Sequence, residues 1–215
     1  MAGPEASAAG RRSSPAPALR AQIVVPTAAR MRALGARLAP LLRRGDLVLL
    51  SGPLGAGKTT LVQGIGAAMH VRGPVTSPTF VIARVHPALA GGPDLVHADA
   101  YRLGSRAEVD DLDLDSSAGD SVTVVEWGEG LVEELAPSYL HVTISVGRPG
   151  ARDGHGSPAR PGVGPPGGLS GGCLSGGAAE LGDEPRTVVL AGWGERWEGA
   201  AETARLGRTG RWDVL

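Results

Sequence analysis

The stretch Gly52-Pro-Leu-Gly-Ala-Gly-Lys58-Thr59-Thr60 constrains this chain more than any other. It follows an apolar run, Leu47-Val-Leu-Leu-Ser51, and opens into Leu61-Val-Gln-Gly-Ile65-Gly-Ala-Ala-Met69. That order predicts a strand, a glycine-rich loop and a helix, and the spacing fits G-x-x-x-x-G-K-[ST], the phosphate-binding P-loop. The residue types follow from the chemistry. Glycines let the backbone curl so that successive N–H groups point inward, and a helix N-terminus adds positive potential. Lys58 is placed to meet terminal phosphates as a compact charge, and the Thr59 hydroxyl to ligate Mg²⁺. Lys58 is also the only lysine among 21 basic residues, the rest being arginine. A tight loop accepts an ammonium where arginine's planar fork does not fit.

The 215 residues suffice for one α/β domain with excess chain at its margins. Net charge is −1, which gives no global attraction to nucleic acid or anionic membrane. One cysteine, Cys173, excludes an internal disulfide and agrees with a reducing cytoplasm. It sits in a Gly-rich stretch with no His or acidic cluster beside it, so an incidental thiol is the reading. No apolar run reaches the length of a membrane span. Residues 1–21 lack the apolar segment of a signal peptide and read as a disordered tail.

Gln22 to Pro26 reads as a first strand. Thr27 then suits the N-cap of a helix running to about Arg43, with Met31, Leu34, Leu38, Leu41 and Leu42 at helical spacing. Beyond the P-loop helix, Phe80 to Val85 alternates as a strand, and Leu95 to Asp99 forms another with an acid at its end. Residues 105–115 read as a short acidic amphipathic helix or turn. Val122 to Glu129 begins as a buried strand, Leu131 to Leu135 as a helical piece, and Tyr139 to Val146 as an alternating strand. From Gly147 to Pro185 the composition shifts to 13 glycines and six prolines, so 147–185 reads as a disordered insertion. Arg186 to Leu190 resumes the fold, and its expected pairing is antiparallel with Tyr139–Val146. Trp193 to Leu206 reads as a terminal helix, and 207–215 as a tail. The expectation is a single P-loop NTPase domain over 22–206: a mixed sheet flanked by helices, ending in an antiparallel hairpin.

Ligands in open α/β sheets collect at the carboxyl ends of strands, where Asp99 and Glu126 both fall. Glu126, ending the run Val122, Val124 and Val125, suits the acid that holds Mg²⁺. Asp99 suits orientation or deprotonation of an attacking water, although a cap or an ion pair with Arg102 explains the spacing equally well. His97, two residues earlier, reads as a packed core histidine. Thr76, Ser77 and Thr79 lie where a nucleotide-sensing loop would be, or form a hydroxyl-rich turn around Pro78.

Four motifs, Gly52-x-x-Gly-Ala-Gly-Lys-Thr-Thr60, Ser77-Pro-Thr-Phe80, His97-x-Asp-x-Tyr-Arg-Leu103 and Val125-Glu-Trp-x-Glu129, occur in the order and spacing of the TsaE family, which the chain resembles over about residues 22–200. The resemblance implies an ATPase needed to place the threonylcarbamoyl group on the adenosine beside the anticodon, in tRNAs reading codons that start with A. It implies ATP on Gly55, Ala56, Gly57, Lys58, Thr59 and Thr60, with Glu129 near the nucleotide, and Mg²⁺ on Thr59 and Glu126. Asp99 is implied as the acid needed for hydrolysis, Ser77 and Thr79 as part of a switch, and Thr27 or Met31 as a contact to the base. The implied partners are a TsaD-type transferase and a TsaB-type subunit, with tRNA met through that complex. The chain departs from the family pattern in its insertion, its extended N-terminus and Gly128.

A small-molecule P-loop kinase is the competing class, but no arginine-bearing lid or acceptor pocket is evident in the sequence. A GTPase is excluded: its guanine-reading element needs a second lysine, and the chain also lacks asparagine. Only 3% of residues are aromatic, which with the neutral charge disfavours a direct RNA-binding module.

Overall fold

The burial pattern of each strand records which faces of the sheet are covered. Leu47–Ser51 and Ser121–Glu126 are buried at every residue, as central strands covered on both faces must be. Leu19–Val25 alternates strictly, with Leu19, Ala21, Ile23 and Val25 inward, as an edge strand with one wet face does. The computed structural model describes residues 16–78, 82–101, 119–147, 184–198 and 200.

Within them the elements run β1 (Leu19–Val25), α1 (Ala28–Leu38), β2 (Leu47–Ser51), α2 (Lys58–Ala68), β3 (Ala83–His86), β4 (Asp94–Asp99), β5 (Ser121–Glu126), β6 (Tyr139–Val146) and β7 (Arg186–Trp193). Seven strands form one mixed sheet in the order β1-β7-β6-β2-β5-β4-β3. β2 lies parallel to both β5 and β6, and β4 parallel to β5, whereas β1–β7, β6–β7 and β3–β4 are antiparallel. The P-loop strand is therefore central, and the expected β6–β7 hairpin pairing is present from Tyr139↔Trp193 to Val146↔Arg186.

One core gathers Met31, Leu34 and Leu38 of α1, Leu61, Val62 and Ile65 of α2, and the sheet residues facing them. The opposite face is covered near Leu49, Val96 and Val125 by Val132 and its neighbours. The two helices pack backbone to backbone. A Cβ on Gly35 would collide with the Leu61 carbonyl, and one on Gly64 with the Arg32 carbonyl, so both crossing points need glycine. Among the described residues no helix is long and apolar enough to cross a membrane.

Several boundaries differ from expectation. The first strand starts at Leu19, so the N-terminal tail cannot extend to residue 21. Small Ala21 and the polar alternation of Arg20 and Gln22 hide a regular edge strand. The first helix stops at Leu38 and tightens into a 3-10 turn, Ala39–Leu41, because Pro40 has no N–H for the α-helical ladder. The strand expected from Phe80 is seen over Ala83–His86, after Ile82 turns the chain with φ of 67°; Phe80 itself lies outside the described residues. Leu131 to Leu135 contains only a 3-10 turn, Glu133–Leu135. Trp193 does not begin a helix. It ends β7, stacked on its cross-strand partner Tyr139 with ring centroids 6.2 Å apart, and a 3-10 turn, Glu195–Trp197, follows. The acidic segment 105–115, nearly all of the 147–185 insertion and the tail 207–215 lie outside the described residues.

Candidate functional site

The chain leaves β2 at Ser51, turns through Gly52–Gly57 and enters α2 at Lys58. The Ala56 N–H closes the turn on the Pro53 carbonyl at 3.1 Å. Gly57 occupies the N-cap of α2 with φ of 106°, a left-handed conformation that a side chain would strain. This leaves the first N–H groups of α2 without helical partners, at the carboxyl end of the central strand.

Three strands deliver the other groups. β2, β5 and β4 are adjacent and parallel, and their registers pair Leu50 with Glu126 and Glu126 with Asp99. Both acids thus finish beside the P-loop, nearly buried at 3% and 4% exposure. Thr59 Oγ1 donates to Glu126 Oε1 at 2.8 Å. Lys58 Nζ donates to the carbonyls of Gly52 at 2.9 Å and Pro53 at 3.2 Å. Burial lowers the Lys58 pKa from its ordinary 10.5, and the negative charges of Glu126 and Asp99 partly offset that. Asp99 Oδ1 accepts the Tyr101 N–H at 2.9 Å, a local Asx-type turn.

The described members of Gly55–Thr60 form one loop and helix start, and Asp99 and Glu126 join them. Glu129 stands further out, with its side chain 59% exposed and Oε1 3.3 Å from His141 Nε2. That same nitrogen lies 2.8 Å from Ser51 Oγ, which links Glu129 to the residue preceding the loop. Ser77 is exposed, and Thr79 lies outside the described residues. Met31 is fully buried in the core. Thr27 caps α1 by accepting the Arg30 N–H at 3.2 Å.

Three residues near the site were not singled out as functional by their types and spacing. Trp127 has φ of 62°, costly for a bulky side chain, and lays its ring 3.9 Å from Lys58 Nζ, with Tyr101 edge-on at 5.5 Å. Its position directly after Glu126 was the available signal. His97 Nε2 lies 2.9 Å from Glu126 Oε1, so this histidine is buried yet not merely packed. Its signal was its place two residues before Asp99 on the same strand face. His141 gave none, because its partners come from β2 and from the turn after β5.

Oxygen donors on Thr59 and Glu126 suit a hard cation such as Mg²⁺. Among the described residues no group of three or more His, Cys, Asp or Glu forms a cation cage.

Residues 25–153 match the profile of TsaE, the threonylcarbamoyl adenosine biosynthesis protein. The chain belongs to the TsaE family. The tRNA threonylcarbamoyladenosine biosynthesis protein TsaE of Streptomyces coelicolor is 52% identical over 168 residues, spanning 78% of this chain and 93% of that protein. The TsaE of Mycobacterium tuberculosis is 54% identical over 118 residues, 52% of this chain and 70% of that protein. The crystal structure of Bacillus subtilis YdiB shares the fold with a TM-score of 0.57 at 23% identity, covering 86% of this chain and 94% of that one. The TsaE profile spans the P-loop, both strand-end acids, Trp127 and Glu129, so every residue of the cluster described above lies inside the matched segment.

Proposed function

We propose that this chain is a Mg²⁺-dependent ATPase serving threonylcarbamoyladenosine formation in tRNA, in a complex with a TsaD-type transferase and a TsaB-type subunit. The observation that carries the reading is the 2.8 Å bond between the P-loop Thr59 and the strand-end Glu126. It brings a hydroxyl and a carboxylate together at a helix N-terminus, which supports the phosphate-and-metal chemistry of a P-loop hydrolase.

The chain's residues divide the work. The α2 N–H groups and the loop amides bind phosphate oxygens. Lys58, at rest on two carbonyls, turns its ammonium to the β- and γ-phosphates, a stronger charge-assisted partner than neutral carbonyls. Thr59 and Glu126 would hold Mg²⁺, which when bound would supply charge neutralisation for the transferred phosphoryl group. Asp99 orients the attacking water and takes its proton as the water oxygen bonds phosphorus and the bond to the β,γ-bridging oxygen breaks. Glu129 lies at the outer edge of the nucleotide site, and Ser77 and Thr79 belong to a switch segment. The seat is cytoplasmic, where tRNA and ATP are met together.

Phosphate release from ATP by the purified chain, alone and with its two partners, tests this reading. Partner-stimulated free phosphate is expected. A phosphorylated metabolite in place of free phosphate would transfer the site to the small-molecule kinases.

A further inference from the structure

Glu126 is held from two sides, and only one of the holders belongs to the P-loop. Both bonds end on Oε1: Thr59 Oγ1 at 2.8 Å and His97 Nε2 at 2.9 Å. His97 has no exposed surface, and its other ring nitrogen, Nδ1, has no hydrogen-bond partner. A carboxylate accepts and does not donate, so an Nε2–H supplies this bond, while Nδ1 finds no partner. An unpaired buried ring nitrogen carries a desolvation cost that an apolar residue of similar size would avoid. Packing alone therefore gives no reason for an imidazole here; the bond to Glu126 does.

The two holders differ in what happens to them when a metal arrives. Thr59 is itself a ligand in the proposed site, so its oxygen is engaged by the cation. His97 is not, and β4 fixes its place by the register Asp99↔Glu126 and His97↔Val124. We propose that His97 is a positioning residue for the metal: its Nε2–H anchors buried Glu126 by Oε1, which would leave Oε2 for Mg²⁺. This rests on the Mg²⁺-ATPase reading above. Outer groups that orient a ligating carboxylate typically change metal affinity or activity by about 10–100-fold when removed.

Three substitutions separate this role from a structural one. The glutamine amide nitrogen reaches the place of Nε2, the asparagine amide stops near Nδ1, and leucine offers no donor. Binding of a non-hydrolysable ATP analogue is measured by calorimetry, once in EDTA and once across a Mg²⁺ titration, with thermal melts of the free protein alongside. For His97→Asn and His97→Leu, the Mg²⁺ concentration giving half of the metal-dependent affinity gain should rise about 10–100-fold, with metal-free binding unchanged. His97→Gln should restore most of the loss. Equal loss with and without Mg²⁺, an unchanged Mg²⁺ requirement, or a His97→Gln no better than His97→Asn would overturn the assignment. Should His97→Leu fail to fold, the Gln–Asn comparison decides, since both are polar. A wild-type chain with no Mg²⁺-dependent binding would instead overturn the function proposed above.

Discussion

Replacing Arg196 by alanine should unfold the domain far more readily, although Arg196 lies outside the nucleotide site. Its guanidinium grips Asp46 with two bonds, Nε to Oδ1 at 2.9 Å and a terminal nitrogen to Oδ2 at 2.8 Å. The same nitrogen donates to the Leu41 carbonyl at 2.6 Å. Asp46 directly precedes β2, and its side chain is 5% exposed against 17% for Arg196. Without the arginine, the carboxylate keeps a single donor, the Arg43 N–H at 2.9 Å. Breaking a buried pair on one side costs about 3–5 kcal/mol, because a charge is left unpaired. Water reaching the exposed part of Arg196 argues for the lower end, about 3 kcal/mol. A domain of this size then loses roughly 10 °C in Tm. Urea unfolding followed by circular dichroism gives the number directly, as a shift in midpoint at constant slope. Arg196→Met combined with Asp46→Asn should recover much of the loss, since the double change removes the stranded charge. A cost below about 1 kcal/mol for Arg196→Ala would show that the pair behaves as an exposed one and that the reasoning fails.

Lys58→Ala should abolish ATP binding in calorimetric titration, and near-wild-type affinity would remove the loop from phosphate recognition. Asp99→Asn should leave nucleotide affinity intact while partner-stimulated phosphate release falls by about 10²–10⁴, the usual share of a positioned base; full turnover would take Asp99 out of the site. Burial lowers the His86 pKa from its ordinary 6.5, with His97 and Arg84 adding to that and a hydrogen bond to the Arg72 backbone opposing it. The unfolded chain therefore binds a proton that the folded chain resists, so stability falls as pH drops below about 6.5. The urea midpoint of wild type should drop between pH 7.5 and 5.5 by more than that of His86→Leu. Deleting residues 149–182 and closing β6 to β7 with a short turn should shift Tm by less than about 4 °C, because the ladder already runs to Val146↔Arg186 and Gly147 N–H meets Pro185 O at 2.8 Å.

The parts of the fold that were readable in the sequence are those whose partners lie nearby along the chain or repeat regularly. The P-loop is one contiguous stretch, so its strand, loop and helix follow from spacing alone. β6 and β7 share an alternating pattern on either side of a Gly/Pro-rich segment, which is enough to pair them. Contacts set by sheet order were not readable. The bond from His97 to Glu126 exists because β4 and β5 are parallel neighbours in one register, and the place of His97 two residues before Asp99 hints at the face it shares but not at that neighbour. Arg196 and Asp46 stand 150 residues apart. The positive φ of Trp127 likewise depends on where the chain must go after β5, not on a turn-forming residue type.

The pairing of β1 with β7 has a consequence for how the protein comes to exist. β1 hydrogen-bonds a strand that is translated long after it, Leu19 opposite Gly192. At about 5–20 residues per second, a nascent chain waits on the order of tens of seconds before that partner leaves the ribosome. In the earlier part of that interval β2 also lacks β6, its neighbour on one side, so the central strand carrying the nucleotide loop has an open edge. Leu19, Ile23 and Val25 meanwhile have no β7 to align against. The β1–β7 ladder thus forms only after β7 is released, and a translation pause shortly before Arg186 would prolong the time for which β1 stands without its partner.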